Sequence, residues 1–94
     1  MNMSKSKSII TVVGKDQVGI IARVTAYLYR ANVNIEDITQ SIVQGFFNMM
    51  MIVDTSGADR DYSVLSGELE KLGCDIGVII KLQREEIFES MQRI

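Results

Sequence analysis

Hydrophobic and polar positions repeat with two different periods along this chain of 94 residues, and the changes of period predict its strands and helices. The run "SIITVV" at 8–13 is short and rich in β-branched residues, which predicts a strand. From Val18 onward, apolar side chains recur at helical spacing as far as Ala31, which predicts a first helix. Asp16 lies near its start, and Asn32 is suited to the left-handed conformation that ends a helix.

The next segment predicts a β-hairpin. Residues 33–44 alternate between apolar and polar, but the alternation slips around Glu36 and Asp37, which indicates a β-bulge. Gly45 marks a turn, and "GFFNMMMIVD" at 45–54 predicts the returning strand. Strand alternation places Met49 and Met51 on one face and Met50 on the other, as expected for adaptable core packing rather than for a soft metal site.

The last third predicts a helix, a strand and a further helix. The segment "DYSVLSGELEKLG" has an apolar stripe and is expected to end at Gly73, a residue type favoured just beyond a helix. A strand follows at 74–82, and "REEIFESMQRI" forms an amphipathic terminal helix. The order βαββαβ predicts an α+β, ferredoxin-like sandwich with an added C-terminal helix. Right-handed crossovers place strand 8–13 beside strand 74–82 and leave strand 33–44 at one edge.

Composition then narrows the class of protein. A chain of this length with 47% hydrophobic residues is expected to form one domain at 8–82, with a flexible tail at 1–7 and a helix at 83–94 that packs on the domain or on a partner subunit. The net charge of −2 offers no electrostatic reason to bind nucleic acid or a membrane surface. Cys74 is expected to be buried in the core, and the expected compartment is the cytoplasm.

The loop "GKDQVGI" at 14–20 is the strongest candidate for a binding site. Its glycines have phosphate-loop spacing, but isoleucines occupy the Lys and Ser/Thr positions of that motif. The free N–H groups from Val18 to Ile20 favour a carboxylate, and Asp16 could accept from an ammonium group, which together describe an amino acid. The alternative is purely structural, with Asp16 as a helix cap and Gly19 as a close-packing residue.

Other chemistry is weakly supported by the sequence. Glu36 and Asp37 are strand neighbours that point to opposite faces, and no histidine accompanies them as a catalytic partner. The start "GFF" of the third strand faintly suggests RNA binding, but Asn48 replaces the next stacking aromatic and the domain is acidic. We therefore expect no enzyme activity, no cofactor and no metal.

The segment "DQVGIIARVTAYLYRANVNIEDITQ", within this element order, resembles the ACT domain, the small-ligand-sensing module of amino-acid metabolism. The whole chain is similar to stand-alone ACT proteins related to glycine-cleavage-system repressor-like regulators. By position, the resemblance implies that Asp16 and Gly19 hold a ligand and that Asn34 reaches it from a neighbouring subunit. The expected ligand-binding set is Asp16, Gln17, Val18, Gly19, Ile20 and Asn34.

The implied function is a regulatory or sensor domain that binds a small amino-acid-like effector at a homodimer interface. The alternative is a structural adaptor that binds only protein partners. A homodimer is also expected from surplus apolar surface, because two helices cover one sheet face while the third strand is apolar on both. In this arrangement the open sheet face and the terminal helix are buried between subunits, with the edge strand 33–44 near the partner.

Overall fold

The computed structural model describes residues 7–85, which form four strands and two helices. The elements, in chain order, are β1 (Lys7–Lys15), α1 (Ile20–Arg30), β2 (Asn34–Val43), β3 (Phe46–Asp54), α2 (Tyr62–Ile76) and β4 (Val78–Arg84). The predicted ferredoxin-like βαββαβ arrangement is confirmed.

The four strands form one antiparallel sheet in the order β2-β3-β1-β4. As predicted, the first and last strands are neighbours and β2 lies at an edge. The pairing of β2 with β3 shifts between Ile35 and Asp37, which confirms the expected bulge and makes Glu36 the extra residue. Asn32 has φ 61°, and the Val33 N–H donates to the Leu28 carbonyl oxygen, so α1 ends as the sequence predicts.

Both helices pack on one face of the sheet and enclose the core. Met49 and Met51 are buried on this face, whereas Met50 is half-buried on the other, so the predicted alternation is correct. The core side chains from the two layers include Ile10, Val12, Val24, Leu28, Phe47, Val53, Leu65, Leu69, Ile80 and Leu82.

The predicted end of α2 is wrong. The helix continues through Gly73 to Ile76, and the left-handed residue beyond it is Gly77, whose φ is 94°. Gly73 is instead a contact residue, because a Cβ there would lie 2.7 Å from the Val78 carbonyl oxygen. The strand predicted at 74–82 consequently begins later, at Val78, and Cys74 is exposed on α2 rather than buried.

The terminal helix predicted at 83–94 falls largely outside the described residues, although residues 83 and 84 belong to β4. Within residues 7–85, neither helix is long and apolar enough to cross a membrane.

Candidate functional site

The loop between β1 and α1, residues 16–19, is held in place from two sides. The Asp16 main-chain N–H donates to the Gly45 carbonyl oxygen at 3.0 Å, which joins the loop to the β2–β3 turn. The Gln17 side-chain amide donates to the Ile76 carbonyl oxygen at 2.9 Å, which joins it to the end of α2. The loop is therefore positioned by the hairpin turn and by the end of α2.

Gly19 is the N-cap of α1 and has φ 94° and ψ −1°, a left-handed conformation that glycine adopts without strain. A Cβ at this position would meet nothing within 4 Å, which excludes the alternative role of Gly19 in close packing. The alternative role of Asp16 as a helix cap is excluded as well, because no side chain caps this N-terminus. The backbone conformation, not crowding, requires the glycine.

The start of α1 offers main-chain donors. The first helical hydrogen bond runs from the Arg23 N–H to the Gly19 carbonyl oxygen, at 3.0 Å. The N–H groups of the preceding turn have no partner inside the helix, and the partial positive charge of the helix dipole lies at the same end. An anionic group placed here would therefore be stabilised by both effects.

These donors border an open cleft of about 260 Å³ between the loop, the first turn of α1 and strand β2. Asp16, Gln17, Gly19 and Ile20 of the expected set line it, so the structure brings four candidates together. The lining residues that the sequence analysis missed are Ile21, Ala22, Gln40, Ile42 and Phe47. The alternation of the two hairpin strands was the sequence signal for Ile42 and Phe47. These two residues pair with each other on the core-facing side of the hairpin.

Two residues of the expected ligand-binding set do not line the cleft. Val18 is fully exposed and is not part of the cleft lining. Asn34 begins β2 and pairs with Asp54, whereas the loop follows the end of β1 that pairs with Phe46. Because these are opposite ends of the sheet, Asn34 and the loop of the same chain do not meet.

The cleft opens toward an uncovered apolar surface. Ile38 and Ile42 on the core-facing side of β2 are 42% and 58% exposed, whereas Ile35 nearer the start of the strand packs against the core. Ile21 on α1 is 36% exposed. We call Ile21, Ile38 and Ile42 the edge strip.

The carboxylates considered for catalysis have local partners. Glu36 forms an ion pair with Lys7, and one carboxylate oxygen of Asp37 accepts from the Ile38 N–H at 3.0 Å. No group of His, Cys, Asp and Glu side chains within residues 7–85 is arranged to hold a metal ion.

A polar network away from the cleft joins the two helices. The Tyr27 hydroxyl donates to a Glu68 carboxylate oxygen at 2.6 Å, and the Arg60 guanidinium donates to the same oxygen at 2.7 Å. Partial burial and the Glu68 carboxylate raise the pKa of Tyr27 to about 12, so its hydroxyl stays protonated as a donor. None of these three residues lines the cleft.

Comparison with known proteins agrees with this architecture. A family model of the ACT domain matches residues 7–83. A UPF0237 protein of Bifidobacterium longum is 62% identical over 89 residues, which cover 95% of this chain and 99% of that protein.

Solved structures show the same fold. An ACT domain protein from Streptococcus pneumoniae superposes with a TM-score of 0.77 at 41% identity, over 88% of this chain and 93% of that chain. A candidate glycine cleavage system transcriptional repressor superposes with a TM-score of 0.73 at 26% identity, over 83% of this chain and 44% of that chain. ACT domains are generally regulatory, commonly bind amino acids and commonly dimerise. With the family model matching nearly all of residues 7–85, the chain belongs to the ACT domain family, among the small UPF0237 proteins.

Proposed function

We propose that this protein is a non-enzymatic sensor that binds a free amino acid in the cleft beside the β1–α1 loop, at the interface of a homodimer. The observation that carries the proposal is the meeting of two complementary groups in one cleft. Asp16 contributes a carboxylate, and the uncapped start of α1 contributes main-chain N–H donors.

These groups match the two charges of an α-amino acid. The ammonium group is attracted by Asp16, and the carboxylate accepts hydrogen bonds from the first turn of α1, where the helix dipole also favours a negative charge. The same Asp16 repels a polyanion such as a nucleotide phosphate. Gly19 leaves the entrance open, because no side chain extends from the residue that begins the helix.

A homodimer through β2 completes the site. When two β2 edge strands pair antiparallel about a two-fold axis, the start of each strand lies beside the end of the other. The end of β2 borders the cleft through Ile42, so Asn34 of the partner subunit approaches it. The pairing also covers both copies of the edge strip. In this dimer Asn34 can belong to the binding site although it lies far from the loop of its own chain.

The alternative function, an adaptor that binds protein partners without a small ligand, is favoured by one set of observations. The hydrogen bond from Gln17 to Ile76 and the backbone conformation of Gly19 both explain the loop structurally. An adaptor would keep the fold and the dimer but would leave the cleft without a ligand.

A thermal-unfolding screen against the twenty amino acids separates the two functions. A ligand present at 100 times its dissociation constant stabilises the native state by about 2.7 kcal/mol. We expect a stabilising amino acid, and we expect Asp16→Asn to abolish its effect with little loss of intrinsic stability. Asp75→Asn, on the exposed side of α2, is the matched control and leaves the response intact.

An amino acid that stabilises Asp16→Asn as strongly as the parent protein places the site elsewhere. A dimer that responds to none of the twenty supports the adaptor.

A further inference from the structure

We propose that the cleft selects an amino acid with an uncharged, aliphatic side chain, and that Gln40 limits the length of that side chain. The inference rests on the proposed function and adds the chemical class of the ligand.

The charge of the cleft sets the first limit. Of the nine residues that line it, Asp16 alone carries a charge, and the ligand's ammonium group uses that charge. A second charge on the ligand side chain would lose part of its hydration without an ionic partner among these residues, which is costly once a dimer covers the cleft. Acidic side chains would also meet repulsion from Asp16. Both acidic and basic amino acids are therefore disfavoured.

The shape of the apolar wall sets the second limit. Ile42 pairs with Phe47 across the hairpin, and both line the cleft together with Ile21 and Ala22 of the first turn of α1. Aliphatic and aromatic carbons thus surround the space next to the donors that hold the ligand's backbone. Branched or linear hydrocarbon side chains gain the most from burial against such a wall.

Gln40 lies at the far end of this wall. It precedes Ile42 by two residues on the same face of β2, about 6.6 Å further along the strand, and it pairs with Met49 toward the middle of the sheet. Its amide is a polar group at the end of an apolar path. A hydrocarbon chain that reached it would displace the water that hydrates the amide, so side chains that stop short of Gln40 are preferred.

Isothermal titration calorimetry of the full-length dimer tests the class of ligand. The panel is the twenty amino acids, in which L-valine, L-leucine, L-isoleucine and L-methionine represent the aliphatic class and L-aspartate, L-glutamate, L-lysine and L-arginine represent the charged class. We expect the best aliphatic ligand to bind roughly tenfold or more tightly than any charged one. If a charged, polar or aromatic amino acid binds tightest, the inference is overturned while the proposed function stands. If none of the twenty amino acids binds, the proposed function itself fails.

A pair of variants tests the role of Gln40. Gln40→Leu is expected to improve the affinity for L-methionine and L-phenylalanine relative to L-valine by several-fold, because the polar end of the wall is removed. Thr39→Leu is the matched control, since its side chain points to the opposite face of the same strand. An unchanged ligand ranking in Gln40→Leu, or an equal change in Thr39→Leu, overturns the role of Gln40.

Discussion

The Gln17 side-chain amide donates a 2.9 Å hydrogen bond to the main-chain carbonyl oxygen of Ile76, 59 residues away along the chain. Ile76 is the last residue of α2, and the left-handed Gly77 follows it, so this carbonyl belongs to a helix end that lacks an ordinary continuation. One side chain thus satisfies the end of α2 and holds the loop that borders the cleft. Loss of the Gln17 side chain therefore affects both the end of α2 and the loop.

Gln17→Ala should destabilise the fold by about 1 kcal/mol, because a part-buried hydrogen bond to the main chain is lost. Equilibrium urea unfolding measures the change. Lys71→Ala, which removes an exposed side chain from α2, the helix whose end accepts the Gln17 hydrogen bond, is the control and should change stability by less than about 0.5 kcal/mol. Equal effects of the two substitutions would show that the hydrogen bond contributes nothing to stability.

Two glycines of α2 should respond in opposite directions to the same substitution. Gly73→Ala places a Cβ 2.7 Å from the Val78 carbonyl oxygen and 3.1 Å from Ile80, and the resulting overpacking should cost about 1–3 kcal/mol. Gly67→Ala meets no atom within 4 Å, so the higher helix propensity of alanine should stabilise it by about 0.5–1 kcal/mol. Urea unfolding of both variants measures whether each substitution raises or lowers the free energy of unfolding. A stabilised Gly73→Ala would contradict the close helix–strand contact.

Stability should fall in acid partly through Glu68. The Tyr27 hydroxyl and then the Arg60 guanidinium hold the pKa of Glu68 below its ordinary value of 4.5. A carboxyl group with a lowered native pKa contributes stability above its unfolded pKa and loses it as the pH falls through the native value. Glu68→Gln should therefore flatten the loss of stability below about pH 4.5, measured by urea unfolding at a series of pH values. Glu70→Gln on the same helix is the control, and an identical pH profile in both variants would exclude this contribution.

The dimer interface is tested by two adjacent residues on β2. Ile42 and Val43 are 58% and 57% exposed but point to opposite faces of the sheet. If the subunits pair along β2 and cover the edge strip, Ile42→Glu buries a charge in the interface and should give a monomer in sedimentation velocity. Val43→Glu should remain a dimer.

The reverse result would support packing through the open sheet face instead. A parent protein that sediments as a monomer of 10.5 kDa would exclude both arrangements.

Local features of this fold follow from the sequence because they depend on neighbouring residues. The order of strands and helices comes from the period of the apolar positions. The alternation of Met49, Met50 and Met51 comes from strand geometry, and the bulge at Glu36 from a slip in the same alternation. Asn32 ends α1 because its short polar side chain tolerates the left-handed conformation.

The tertiary structure decided which of two nearby glycines ends α2. Gly73 and Gly77 are equivalent as local helix-ending signals, but the Gly77 N–H donates to the Gly73 carbonyl oxygen and only Gly77 has a positive φ, so Gly73 lies inside the helix. The close approach of Gly73 to Val78 and Ile80 explains why this position inside the helix is a glycine. The same continuation of α2 puts Cys74 on an exposed helix face. It also places the Ile76 carbonyl oxygen where Gln17 reaches it.

Likewise, only some of the residues that line the cleft could be predicted from the sequence. Asp16 and Gly19 lie in one short loop, so their proximity needs no tertiary information. Gln40 and Ile42 enter the lining because the helices leave the second half of the edge strand exposed, which depends on how a helix layer sits on a sheet. The periodicity of apolar residues along the chain shows which side chains share a face of a strand or helix. Packing between the helix layer and the sheet decides which part of that face stays exposed.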